Sequence, residues 1–172
     1  MIRKIRRVKK VNSNIKISRG YCGIGLFQPK NSINVGSVLR SAGIYGASFV
    51  AVTGGRIPFK YKKSSTDTMK HYRHLPLIQI ANLKSIIPFD CVPVAIELID
   101  GAKTLPEYKH PERAFYIFGP EDGTLGKNVL RWCRDIVYIP TNGCMNLACC
   151  VNVVLYDRMS KKLTNENQCG KT

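Results

Sequence analysis

Three short segments hold the residues whose types and spacing could do chemistry: NVGSVLR (34–40), FGPEDGTLGKNVL (118–130) and IPTNGCMNLACC (139–150). In the first, Asn34 stands at a helix start, and Arg40 points away from the apolar side formed by Val35, Val38, Leu39 and Ala42. Gly36 lies four residues before Arg40 on the same outward face, and its missing side chain leaves room for a group to approach the guanidinium. In the second, Gly119 and Pro120 stop a strand, and Glu121, Asp122 and Gly123 make a tight acidic turn. In the third, the thiol of Cys144 and the amide of Asn146 occupy the junction between a strand end and an apolar helix. Helix capping accounts for both asparagines as well as chemistry does, because Asn readily receives the free N–H groups of a first turn.

These segments exclude some chemistry. A phosphate cradle wants backbone N–H groups and a Lys near its turn, and Glu121 and Asp122 are the opposite. No GxxxxGK[ST] is present, and the glycines at 20, 23 and 25 lie before or inside the first strand and not at its exit. Nucleotide hydrolysis and dinucleotide redox chemistry are therefore disfavoured. The seven cysteines include no CxxC pair with a neighbouring His, so no metal site is expected. Their odd number and the adjacent Cys149 and Cys150 point to free thiols in a reducing, cytoplasmic setting.

The elements that must position these residues follow from the apolar runs YCGIGLF, SFVAVTG, LPLIQI, VPVAIEL, AFYIFG and DIVYIP, each closed by Gly, Pro or a charge. Runs without polar alternation suit strands covered on both faces. Helical patterns at 34–45, 81–87, 125–134 and 146–162 lie between or after them. The order predicts an α/β domain with a mostly parallel sheet flanked by helices and right-handed crossovers. The three segments then sit at carboxyl ends of strands, where open α/β sheets place ligands.

The chain has 172 residues, 44% of them apolar, enough for one core. Residues 21–162 form the expected domain, between a basic extension (1–20) and a polar tail (163–172). The net charge of +16 favours a polyanionic partner. No apolar run reaches the roughly 18 residues that span a bilayer, and the thin stripe of Ile2, Ile5 and Val8 is poor membrane anchorage, so nucleic acid is the favoured partner. Residues 1–20 hold eight basic residues and no acidic one. The stretch 54–74 interleaves Arg56, Lys60, Lys62, Lys63, Lys70 and Arg73 with Phe59, Tyr61 and Tyr72, which suits RNA as well as a solvated loop.

Taken together, Asn34, Gly36 and Arg40, then Phe118 to Glu121, then Ile139, Pro140, Cys144, Asn146 and Leu147 resemble the three ordered motifs of the SpoU (TrmH) branch of the SPOUT RNA methyltransferases, over residues 21–160. The chain is similar to the minimal, TrmL-like members that lack a separate RNA-binding domain. It departs from them at Cys144, where the family usually has Ser, and in a shorter loop from Pro140 to that position. The resemblance implies a deep C-terminal trefoil knot, S-adenosylmethionine as cofactor, a homodimer, and RNA, with tRNA favoured, as substrate. It places cofactor contacts at Ile96, Glu97, Gly119, Ile139, Cys144, Met145 and Leu147. It assigns the reaction to Arg40, with Asn34 orienting Arg40 or the ribose, Glu121 holding Arg40 and the site's backbone, and Asn146 fixing the hydroxyl or the cofactor's carboxylate. The motif containing Arg40 leans towards a ribose 2′-oxygen as acceptor. A base nitrogen, an rRNA substrate and a non-catalytic RNA-binding module stay open at this stage.

Overall fold

A computed structural model describes residues 20–55 and 66–169. The basic block up to Arg19, residues 56–65 of the cationic loop, and residues 170–172 lie outside the described residues.

Seven strands form one parallel sheet: β1 (Tyr21–Leu26), β2 (Phe49–Val52), β3 (Leu77–Gln79), β4 (Val92–Ile96), β5 (Lys103–Thr104), β6 (Arg113–Phe118) and β7 (Asp135–Tyr138), in the spatial order β3-β2-β1-β6-β4-β7-β5. Helices α1 (Ser32–Ile44) and α3 (Leu147–Cys169) pack against each other. Their apolar residues join one face of the sheet: Ile24, Leu26, Val94, Tyr116 and Val137 meet Val35, Val38, Leu39, Val151 and Leu155 in one core. Ile24, Leu26, Val35, Leu39 and Leu155 are at most 2% exposed, and burying such side chains stabilises by roughly 1.5–3 kcal/mol each.

The second face holds Phe49, Ala51, Ala95, Phe115 and Ile117 under Leu83, Leu125 and Val129. Its geometry explains the glycines of β1. Gly23 pairs with Phe49 on one side and Phe115 on the other, and those two rings stack at 5.7 Å between centroids. A Cβ at Gly23 would come within 2.7 Å of both rings, and one at Gly25 within 2.8 Å of Phe115. The glycines let two aromatic rings on flanking strands meet over β1, which is a packing role.

Several boundaries differ from the sequence reading. α1 begins at Ser32 because Asn31 is its N-cap, accepting the Ile33 N–H at 2.8 Å, so Asn34 lies within the first turn. Gly36 is buried, not outward. It sits at the edge of the apolar stripe, and with no side chain it is covered where α1 meets its neighbours. The 81–87 pattern is one 3-10 turn, Leu83–Ile86, stopped as Ile87 turns extended before Pro88. The helix expected over 125–134 is α2 (Gly126–Leu130), five residues long. β5 has two residues, too few for any pattern. α3 extends to Cys169, so residues 163–169 are helical where a polar tail is expected; no Gly or Pro interrupts the sequence before Gly170.

Candidate active site

The three motif segments meet at the carboxyl ends of β1, β6 and β7 through one line of hydrogen bonds. Glu121, after β6, accepts from the Lys30 N–H at 2.7 Å through Oε2, and from the Asn31 N–H at 3.3 Å through Oε1. The same Oε1 accepts from Asn34 Nδ2 at 2.7 Å. Asn34 Oδ1 in turn accepts from Asn146 Nδ2 at 3.1 Å. Asn146 Oδ1 accepts from the N–H groups of Ala148 at 2.9 Å and Cys149 at 3.4 Å, so Asn146 caps α3 while its amide nitrogen reaches across to α1. A salt bridge of 3.5 Å between Lys30 and Asp122 adds a second tie between the β1–α1 loop and the acidic turn.

This arrangement corrects two expectations. Glu121 holds the site's backbone as expected, through the Lys30 and Asn31 N–H groups, but with Asn34 on the same carboxylate it makes no contact with Arg40 among the described residues. Asn34 does not orient Arg40 either, because its amide bridges Glu121 and Asn146. Arg40 is exposed and directs Nη1 to Thr68 Oγ1 at 3.0 Å, its one hydrogen-bond partner among the described residues. Thr68 was invisible in the sequence, having no motif around it. Asn31 did carry a signal, a capping residue directly before an apolar helix.

Burial pushes the Glu121 carboxyl up, but the hydrogen bonds from Asn34, the Lys30 N–H, its own N–H and the Asn31 N–H outweigh it, leaving it below the ordinary glutamate value. An ionised, acceptor-only carboxylate is what those donors require.

The residues expected to meet a cofactor line the ends of β4, β6 and β7. Ile96 and Leu147 are buried, Gly119, Ile139 and Met145 half-buried, and Cys144 exposed. Glu97 Oε2 accepts the Leu125 N–H at 2.8 Å. A Cβ at Gly119 would stand 3.5 Å from the Leu125 nitrogen and 3.6 Å from Glu97 Oε2, which is ordinary contact. Thr141 Oγ1 donates to the Gly143 carbonyl at 2.8 Å and shapes the loop that leads to Cys144. Backbone N–H groups 141–146 have no acceptor among the described residues. Cys22, Cys91, Cys133, Cys144, Cys149 and Cys150 are free thiols. Cys150 is pushed up to about 12 by burial first and then by Cys149 and Glu97, so it stays a thiol.

With this geometry in hand, the comparisons are specific. The model of the SpoU rRNA Methylase family matches residues 22–156. No curated protein sequence matches the chain. Among solved structures, the chain is similar to the SpoU methyltransferase AviRb from Streptomyces viridochromogenes, with 19% identity and a TM-score of 0.76, covering 88% of this chain and 63% of that one. It thus spans under two thirds of that relative's length. A structure concerned with the 2-OH methylation of C/U34 on tRNA has 23% identity and a TM-score of 0.73, over 86% of this chain and 99% of that one. The A. aeolicus TrmH/SpoU tRNA modifying enzyme has 14% identity and a TM-score of 0.74, over 87% and 78%. At these identities the structural likeness concerns the fold.

Proposed function

The chain belongs to the SpoU rRNA Methylase family, and from that premise we propose that it transfers a methyl group from S-adenosylmethionine to RNA, at a ribose 2′-oxygen of tRNA. The observation that carries this reading is the hydrogen-bonded line Glu121–Asn34–Asn146, which draws all three family motifs to one end of the sheet beside Arg40's helix. The choice of tRNA is supported by the match to the tRNA 2-OH methylation structure over 99% of its chain, and by the surplus of 27 basic over 11 acidic residues.

The residues present fit the cofactor. Gly119 has no side chain at the end of β6, Ile96, Ile139 and Leu147 give apolar walls, and the N–H groups of 141–146, without an acceptor among the described residues, can donate to it. AviRb, a structural relative, has also been solved in complex with AdoMet. When bound, S-adenosylmethionine supplies a methyl group already activated on its sulfonium. Cys144 stands beside the cofactor in this reading with a thiol, a weaker hydrogen-bonding group than the family's hydroxyl.

This chain's own contribution is positioning and charge. The 2′-hydroxyl must lie in line with the methyl–sulfur bond, and fixing that geometry supplies much of the acceleration. A guanidinium is a donor only, so Arg40 lowers the cost of developing alkoxide charge and holds the adjacent phosphate. Glu121 is no general base, because its oxygens are engaged by backbone N–H groups and by Asn34. The hydroxyl proton would therefore be left to the phosphate or to water, with no side-chain base placed to take it. Asn146 has both Oδ1 lone pairs committed to the α3 cap and one Nδ2–H spent on Asn34. Its remaining N–H can donate to the substrate hydroxyl or to the cofactor's carboxylate, and it cannot accept.

The knot and the homodimer belong to this reading. α3 follows β7 and packs against α1, which follows β1, an arrangement compatible with a C-terminal knot. Ile33 and Ile44 on α1 and Tyr156 on α3 are more than half exposed and offer an apolar surface to a second copy. The free thiols agree with a cytoplasmic setting. The test is Arg40→Lys, which keeps the charge and loses the planar fork. Methyl transfer to tRNA should fall by about 100-fold or more, and a wild-type rate would overturn the role given to Arg40.

A further inference from the structure

Residues 66–73, ahead of β3, are laid along α1. Thr66 Oγ1 donates to the Ile33 carbonyl at 3.1 Å near the helix start, and Thr68 Oγ1 accepts from Arg40 Nη1 at 3.0 Å. Near the helix end, the His71 ring lies so close over Gly43 that a Cβ there would overlap it. The pin of this segment is Asp67, whose side chain is 0% exposed. Its Oδ1 accepts from the His71 N–H at 3.1 Å and meets His71 Nδ1 at 3.2 Å, while its Oδ2 accepts from the Tyr72 N–H at 3.0 Å. A buried carboxylate is costly without donors around it, so these contacts fix its place. Thr68, one residue on, is held with it.

Arg40 has five N–H donors on one plane. Among the described residues only Nη1 is engaged, by a hydroxyl whose position the Asp67 clasp determines. An exposed Arg otherwise has rotamer entropy to lose on being ordered. Holding one N–H beforehand leaves the other edge of the guanidinium oriented before RNA arrives.

We propose that Thr68 is a positioning residue for methyl transfer: its hydroxyl, placed by the Asp67 clasp, sets the plane of the Arg40 guanidinium that meets the ribose oxygen and its phosphate. This rests on the role given to Arg40 above. No motif marks Thr68, and the contact is made by a side chain 28 positions away from Arg40.

The test compares Thr68→Val, which keeps the shape and loses the hydroxyl, with Thr68→Ser, which keeps the hydroxyl, in the full-length protein with tRNA and S-adenosylmethionine. Thr68→Val should lower kcat by about 10- to 100-fold while KM for tRNA stays within about threefold, the pattern of a misplaced reacting group. Thr68→Ser should restore kcat to within about threefold of wild type. Thr68→Ala serves as the second hydroxyl-free variant should the valine disturb folding. A wild-type kcat in either hydroxyl-free variant, a loss confined to KM, or a failure of serine to rescue would overturn the proposal. If Arg40→Lys is impaired and Thr68→Val is not, only the Thr68 inference falls. If the wild-type protein transfers no methyl group, the functional reading fails and this inference with it.

Discussion

Asn146 Nδ2 donates to Asn34 Oδ1 at 3.1 Å, joining two side chains 112 positions apart, and the other end of the Asn34 amide donates to Glu121. The bond orders the site because neither amide can turn over freely. Reversing Asn34 would present its oxygen to the Glu121 carboxylate, and reversing Asn146 would strip the cap from α3. The start of α1, the acidic turn and the start of α3 thereby share one fixed geometry.

Asn146→Asp separates the two duties of Asn146. Asp caps a helix about as well as Asn, so α3 keeps its cap, whereas Asn146→Ala should cost about 1 kcal/mol. The carboxylate cannot donate to Asn34 and brings a second negative charge towards Glu121. Thermal unfolding should show the Asp variant near wild type and the Ala variant lowered. Methyl transfer should fall by at least about tenfold in both, since both lose the link. An active Asp variant would disconnect this bond from function.

The acid limb tests Glu121. Its folded-state value lies below the ordinary carboxylate value, so its contribution to stability is fully present above that value, about 4.3, and is lost as pH falls through the lowered one. The stability difference between wild type and Glu121→Gln, followed by denaturant titration, should be constant near neutrality and shrink only in acid below that range. A difference that already changes between pH 7 and 5 would place the carboxyl in another environment.

A second titration concerns the far end of the sheet. His110 contacts Asp157 Oδ2 through Nε2 at 2.8 Å and Tyr116 OH through Nδ1 at 2.6 Å. A carboxylate only accepts, so Nε2 carries the hydrogen; Tyr116, which accepts from Arg158 Nη1, gives its own hydrogen to Nδ1. Burial lowers the His110 value, outweighing the opposing pull of Asp157, and Arg158 and Lys161 add to the lowering. The unfolded chain then binds the proton more readily, so stability should drop as pH falls below the ordinary histidine value of about 6.5. Urea midpoints at pH 7.5 and 5.5 should differ less in His110→Asn than in wild type; an equal difference would remove His110 from the explanation.

Gly119→Ala probes the cofactor wall. The added methyl meets the protein only at 3.5 Å and beyond, so the melting temperature should be unchanged. If Gly119 faces S-adenosylmethionine as proposed, calorimetry should show affinity reduced by about tenfold or more. Unchanged affinity in a folded variant would move the cofactor elsewhere.

Much of this was legible in the sequence. The unbroken apolar runs mark strands buried on both faces, and six of the seven strands lie where those runs stand. The spacing of Val35, Val38, Leu39 and Ala42 identifies the buried stripe of α1. Asn34, Glu121 and Asn146 stand out by motif, but their mutual contacts do not, since one-dimensional spacing carries no information on which polar atoms meet. Glu121 therefore read as a partner for both Arg40 and the site's backbone, when its donors are backbone N–H groups and Asn34 and none is Arg40. Gly36 read as outward because it lies only a few tens of degrees outside the apolar stripe, where packing decides. Thr68 and Asp67 gave no signal at all: their significance arises from the path of a loop across α1.

The most direct test incubates the protein with tRNA and S-adenosylmethionine carrying an isotopically labelled methyl group, followed by mass spectrometry of the released nucleosides. A label recovered on a ribose 2′-oxygen, abolished or slowed about 100-fold in Arg40→Lys, is the predicted result. A label on a base nitrogen, or none on any RNA offered while S-adenosylmethionine fails to bind, would contradict the account.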